Sequence, residues 1–203
     1  MPDEIDQLLT PPSEVADRAL AVARRWCTPA VVNHCIRSWV WAALLGESER
    51  IEFDAELLFV SAMLHDLGVG EPFDSHSVPF ETAGGAVAWA FAAGADWSEH
   101  RRGRVMEVIE RHMWVDVDPA QDAEGYLLEA ATSLDVAAAG AERWDADLIR
   151  AVTSRVPRLA FSTEFAAAIH DQAARKPQST AHRLDGSGRI AAGDAAWQTM
   201  LGR

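Results

Sequence analysis

The stretch Thr28-Pro29-Ala30-Val31-Val32-Asn33-His34-Cys35-Ile36-Arg37-Ser38-Trp39-Val40-Trp41-Ala42-Ala43-Leu44-Leu45-Gly46 decides the fold class. Its apolar residues recur at helical spacing and do not alternate as in a strand. Threonine caps the free N–H groups of a first turn, proline suits the first helical position, and glycine is a natural stop. The same grammar extends outward. Helices are expected over 13–26, 28–46, 54–67, 81–94, 97–113, 119–139, 145–155 and 161–175. Asp54 caps one of them, with Gly68 as its stop. Asp118-Pro119-Ala120-Gln121 reads as the capping start of another, with Gly140 as its end. Residues 68–80 contain Gly68, Gly70, Pro72 and Pro79 and read as a loop. From residue 176, polar residues with Gly186 and Gly188 point to an extended tail and a short helix near 191–201. The expectation is an all-α bundle of roughly seven to nine helices. It divides into an N-terminal helical segment (1–27), a main domain (28–182) and a tail (183–203).

Composition sets the limits. The chain has 203 residues, of which 49% are hydrophobic and 24% charged, so it can bury a real core. Its net charge is −13, and Lys176 is its one lysine. So acidic a surface repels nucleic-acid backbones and anionic lipid heads, which argues against both as partners. Cys27 and Cys35 do not make a disulfide framework. Met-Pro-Asp-Glu-Ile-Asp lacks the basic stretch and apolar run of a signal peptide, and no apolar stretch is long enough to span a membrane. The expected location is the cytoplasm. A homo-oligomer stays open.

Polar residues on apolar helical faces need an explanation, because burying an unpaired charge is costly. Asp135 sits among Ala131, Thr132, Ala138 and Ala139 with no Arg or Lys on its own face, so it wants a cation from elsewhere or faces solvent. His65 and Asp66 leave an apolar helix at its C-terminal end, where the macrodipole favours a cation. Neutral histidine and ionised aspartate are ordinary ligands of a divalent metal. A His-Asp pair alone is weak evidence, since His170-Asp171 is another; alanines surround His170, which reads as a core or surface residue. His34, with Arg37 one turn on, reads by itself as a hydrogen-bonded core residue.

The set changes that reading. Asn33-His34-x-x-Arg37, Ser61-Ala62-Met63-Leu64-His65-Asp66-Leu67-Gly68 and Ser133-Leu134-Asp135 together resemble the HD-domain metal-dependent hydrolase superfamily. Pro79-Phe80-Glu81, Glu110-Arg111-His112, Lys176-Pro177 and Ser179-Thr180 are similar to its cyanamide-hydratase-like branch. The resemblance spans roughly 28–182. It implies a helical bundle of the HD/phosphodiesterase-like type. It also implies one divalent ion held by His34, His65, Asp66 and Asp135, with zinc, manganese and iron the leading candidates. Such an ion lowers the pKa of water and supplies a nucleophile near neutral pH.

Around that set, Asp66 and His112 are the catalytic candidates. His112 has apolar neighbours Val108, Ile109 and Val115, so it points inward, to bind substrate, to shuttle a proton or to pack in the core. Arg37 and the loop residues Glu71, Asp74 and His76 are the substrate-binding candidates; the plainer reading of Arg37 is a pair with Asp66 or a helix end, and of the other three a solvated loop. Val69 stands where some phosphohydrolase relatives carry an acid. Trp39, Trp41, Trp89 and Trp114 fall near the site helices, as core or as walls of a narrow pocket. Three functions follow. The first is a hydratase or hydrolase of a small nitrile, amide or urea-like substrate. The second is a phosphohydrolase using Arg37, Arg104 and Arg111. The third is a ligand-binding domain without turnover.

Overall fold

A computed structural model describes residues 2–202. Among them stand eleven α-helices: α1 (Pro2–Leu8), α2 (Glu14–Trp26), α3 (Pro29–Glu49), α4 (Ala55–Leu64), α5 (Phe80–Gly94), α6 (Glu99–Arg111), α7 (Ala123–Ala137), α8 (Ala146–Arg155), α9 (Phe161–Arg175), α10 (Thr180–Gly186) and α11 (Arg189–Met200). No strand occurs among the described residues, so the all-α expectation holds. Among the described residues no helix is long and apolar enough to cross a membrane.

Local chemistry accounts for most of the boundaries. The side chains of Ser13, Thr28, Asp54 and Ser98 accept hydrogen bonds from backbone N–H groups two or three positions into α2, α3, α4 and α6. Helix α3 runs past Gly46 to Glu49 and ends on Arg50 in the left-handed region, φ 58°. The expected start of α7 at Asp118-Pro119 is corrected. Asp118 closes a turn on Ala120 N instead, and the cap is Asp122, whose carboxylate takes Gly125 N at 2.9 Å. Asp122 also pairs with Arg104 and Arg111, at 2.7 and 2.6 Å. The end of α7 comes at Ala138, φ 54°, before Gly140. The extended tail is corrected too. Gly188, φ 71°, turns a corner between two helices, α10 and α11.

Helix α4 lies at the centre. Every residue from Leu57 to Leu64 is buried, as befits a helix apolar all round. It packs against α2, α3, α6 and α7, with α11 lying along α7. One core joins Ile5, Ala19, Trp41, Leu58, Ile109, Leu127 and Trp197, so the N-terminal helices and the last helix share it with the middle of the chain. A smaller cluster of Phe80, Phe161, Phe165 and Ile169 closes the end where the polar residues gather.

Candidate metal centre

Three elements bring the site together: the middle of α3, the turn that follows α4, and α7. His34, His65, Asp66, Arg37 and Asp135 are each no more than 3% exposed. His65 Nδ1 lies 2.8 Å from the carbonyl of Ala62. A carbonyl only accepts, so Nδ1 carries the proton and Nε2 carries a lone pair. His34 Nδ1 lies 2.7 Å from Asp135 Oδ2, and the carboxylate settles that ring the same way. The two bare Nε2 atoms face each other at 3.1 Å. Asp66 Oδ2 stands 3.5 Å from one and 3.4 Å from the other, buried with no hydrogen-bond donor.

Three acceptors thus converge with nothing but acceptors opposite them. That arrangement is repulsive unless positive charge sits among them, and a divalent cation fits it. Each of His34, His65 and Asp66 offers one ligand atom, and these atoms lie within 4.8 Å of one another. The local potential favours positive charge at this point, on an ion or on the His65 ring. Burial pushes the His34 ring down, towards the neutral form a ligand needs. At His65 burial works the same way, but the charge of Asp66 beside it prevails and raises the ring. Burial opposes the charge of Asp66, yet the neighbouring imidazoles hold its carboxyl far below the usual range. The α4 C-terminus adds negative potential at the same point.

The expected fourth ligand stands elsewhere. The structure does not bring Asp135 into the group; it sits on the other nitrogen of His34. Its Oδ1 accepts from Arg37 Nε at 2.8 Å and Arg158 at 3.1 Å. Its Oδ2 accepts from Arg37 at 2.8 Å besides facing His34. Burial disfavours this charge, but the two guanidinium groups keep it well below the ordinary carboxylate range. With its lone pairs so occupied, Asp135 orients the ligand His34 from behind. The cation that Asp135 lacked on its own helix face comes from α3 and from the loop before α9.

Arg37 is accordingly corrected as a substrate binder. It is 0% exposed, and its remaining N–H groups go to the carbonyls of Val156 and Pro157. Glu71 and His76 are exposed. Asp74 is tied to Gln172 at 2.7 Å, to Arg175 at 2.5 Å and to Lys176 at 3.1 Å. None of these three lines the pocket over the cluster, so the loop is corrected from substrate contact to structural strap. Arg104 and Arg111 are committed to Asp122, Glu107 and Glu124. His170 lies on the surface, its side chain 76% exposed and 3.1 Å from Asp185. Of the four tryptophans named above, Trp114 alone borders the pocket; Trp39 and Trp41 are core and Trp89 is partly exposed.

His112 does reach the site. It caps the end of α6 as His65 caps α4, with its own Nδ1 against the carbonyl of Ile109. Its ring packs edge-on to His65, centroids 4.9 Å apart. Burial, reinforced by His65, pushes its pKa down to about 3. It is therefore neutral near pH 7, with an accepting Nε2. The pocket, about 70 Å³, has polar lining from His112, Thr132 and Ser133 and apolar walls from Met113, Val136, Phe165 and Leu184. Sequence reading missed Arg158 and the C-terminal contribution to this pocket. The unpaired carboxylate on α7 was the only signal for the former.

Comparison with known proteins agrees with this geometry. The HD domain family model matches residues 31–114, which include His34, His65, Asp66 and His112. Cyanamide hydratases DDI2 and DDI3 of Saccharomyces cerevisiae are each 26% identical over 171 residues, covering 82% of this chain and 76% of the yeast protein. The chain thus resembles the HD-domain superfamily, with likeness to its cyanamide-hydratase-like members. Fold, cluster and match support a metal-dependent hydrolase or hydratase of the HD type.

Proposed function

We propose that this protein is a metal-dependent hydratase or hydrolase that turns water on a small polar substrate of the nitrile, amide or urea-like kind. One observation carries the reading: three buried acceptors, His34 Nε2, His65 Nε2 and Asp66 Oδ2, meet without a donor among them. A divalent ion bound there supplies Lewis acidity and makes water a competent nucleophile at neutral pH. The protein residues do the rest. Asp135 and Ala62 O fix the tautomers of His34 and His65. Asp66 contributes the single negative charge of the ligand set and a second oxygen that can accept a hydrogen bond from the attacking water. His112, too weakly basic to store a proton, accepts a hydrogen bond and so orients water or substrate. The apolar walls exclude bulk water, which strengthens each of these interactions.

The small pocket favours a small substrate. The arginines that a phosphate ester needs are engaged elsewhere: Arg37 with Asp135, Arg104 and Arg111 with Asp122. The yeast relatives' name supports a nitrile-like substrate such as cyanamide. For that substrate the water oxygen would bond to the nitrile carbon as the C≡N π bonds open, both water protons would end on the nitrile nitrogen, and urea would result.

Elemental analysis of protein purified without added metal tests the reading. Near one equivalent of a divalent metal is expected. Asp66→Ala loses it together with urea production from cyanamide, while His170→Ala keeps both. Metal at wild-type level in Asp66→Ala, or phosphate release from p-nitrophenyl phosphate with no hydration of cyanamide, would overturn it.

A further inference from the structure

The pocket over the cluster has one cation outside the proposed ligand set, and it comes from the last helix. Arg189 is the first residue of α11 and lines the pocket together with His112, Ser133 and Val136. Its place is dictated by packing. Gly193, one turn further along α11, lies so close to α7 that a Cβ there would meet Val136 O at 2.4 Å. One further turn on, Trp197 is buried and donates to Leu134 O at 3.2 Å. The face Arg189, Gly193, Trp197 therefore runs along α7, and Arg189 arrives at the pocket wall. Among the described residues no hydrogen bond or ion pair holds its guanidinium. Glu129, an acid that feels its charge, has a carboxylate oxygen occupied by Ser133 at 2.8 Å.

Local charge points the same way. The single carboxylate of Asp135 faces two guanidiniums, Arg37 and Arg158. The ligand set contributes only Asp66. With a divalent ion present, the pocket is a positive spot in a chain of net charge −13. Gly188 gives α11 no capping side chain of its own, and the Arg189 N–H donates instead to Ser187 Oγ at 3.2 Å.

We infer that Arg189 is a specificity-determining residue, and that the substrate carries a single negative charge, of the carboxylate type, at the end away from the reacting carbon. This rests on the hydratase or hydrolase reading and narrows its substrate class: a small reactive head at the cluster and a monoanionic tail at Arg189. One guanidinium pairs with one carboxylate in a fork, whereas a dianionic phosphate needs more cations than the pocket offers.

Cyanoacetate and cyanoacetamide differ in charge but hardly in shape. Calorimetric binding of both to the metal-loaded protein is the test, with Arg189→Met and Arg143→Met as variants. Arg143 loses the same charge but does not line the pocket over the cluster; it lines a neighbouring recess that the exposed Arg189 also borders. The wild type is expected to bind cyanoacetate at least tenfold more tightly than cyanoacetamide. Arg189→Met should lose most of that preference through the anion alone, with metal content unchanged, and Arg143→Met should keep it. Where turnover is seen, the loss should fall on KM rather than kcat. Equal affinities in the wild type, an unaltered preference in Arg189→Met, or the same loss in both variants would overturn the inference. A protein that binds no metal yet shows the Arg189-dependent preference would sink the hydratase reading and leave the anion site standing.

Discussion

Asp135 lies outside the group of three possible metal ligands but holds one of them, His34, through its other ring nitrogen. Its carboxylate accepts from Arg37, Arg158 and His34 in a space with no solvent. The proton it fixes on His34 Nδ1 turns Nε2 into a lone pair. Asp135→Asn should weaken metal affinity about 10–100-fold, the usual cost of losing such a partner, without abolishing it. It should also destabilise the fold, by about 3–5 kcal/mol, because two arginines lose their buried counter-charge. Competition with a graded series of chelators and a urea titration would check both. Unchanged affinity would mean that His34 is oriented by something else. At this scale the sequence was informative where chemistry is local. His34, His65 and Asp66 announce themselves as polar groups on apolar helices. Arg37 did not: the family resemblance made it a substrate-binding candidate, and the acid it pairs with, Asp135, lies on α7. Arg158 stands in a loop and has no periodic signature.

Among the elements, the turn after α4 is held by backbone contact with α5. A Cβ on Gly68 would meet Phe80 O at 2.1 Å, and one on Gly84 would meet His65 O at 2.9 Å. Only glycine at both places lets the start of α5 lie against the His65-Asp66 turn. Gly68→Ala should therefore cost at least about 1–3 kcal/mol and lower metal occupancy, since the turn that displaces to relieve the clash carries two ligands. Thermal unfolding and metal content of the same preparation would show it; a stable, fully loaded variant would contradict it. The helix boundaries divide on the same line. Caps such as Thr28 and Asp54 act within four residues and were legible. The start of α7 was not, because Asp122 prevails over Asp118 through Arg104 and Arg111 of α6, partners that local spacing cannot reveal.

For the molecule as a whole, a belt of buried polar contacts ties the loop beyond the cluster to the C-terminal helices. Lys176, 5% exposed, reaches Asp74 and Gln172, and Glu81 of α5 accepts from Thr180 of α10 at 2.5 Å. The other oxygen of Glu81 is buried without a donor, and burial raises its pKa above the usual glutamate value. The native state thus keeps this proton after the unfolded chain has lost it. The stability Glu81 contributes is complete below its unfolded pKa, near 4.3, and is lost as pH rises through the raised folded value. Glu81→Gln should therefore raise the unfolding temperature relative to wild type at pH 7–8 and lose that advantage near pH 4. Calorimetric scans of both proteins across that range decide it; an advantage independent of pH would exclude the charge as its cause.

What the sequence determined by itself is whatever acts over a turn or two of chain: the all-α class, most helix caps, and the separate polar residues that make up the metal cluster. Tertiary structure alone decided which acid joins the candidate metal cluster and which stands behind His34, which arginines pair with buried carboxylates, and that the supposed tail returns as α11 to set Arg189 at the pocket. Those outcomes depend on charges and close backbone contacts between segments up to a hundred or so residues apart. Pairing energies of that kind are settled only when the bundle closes and water leaves.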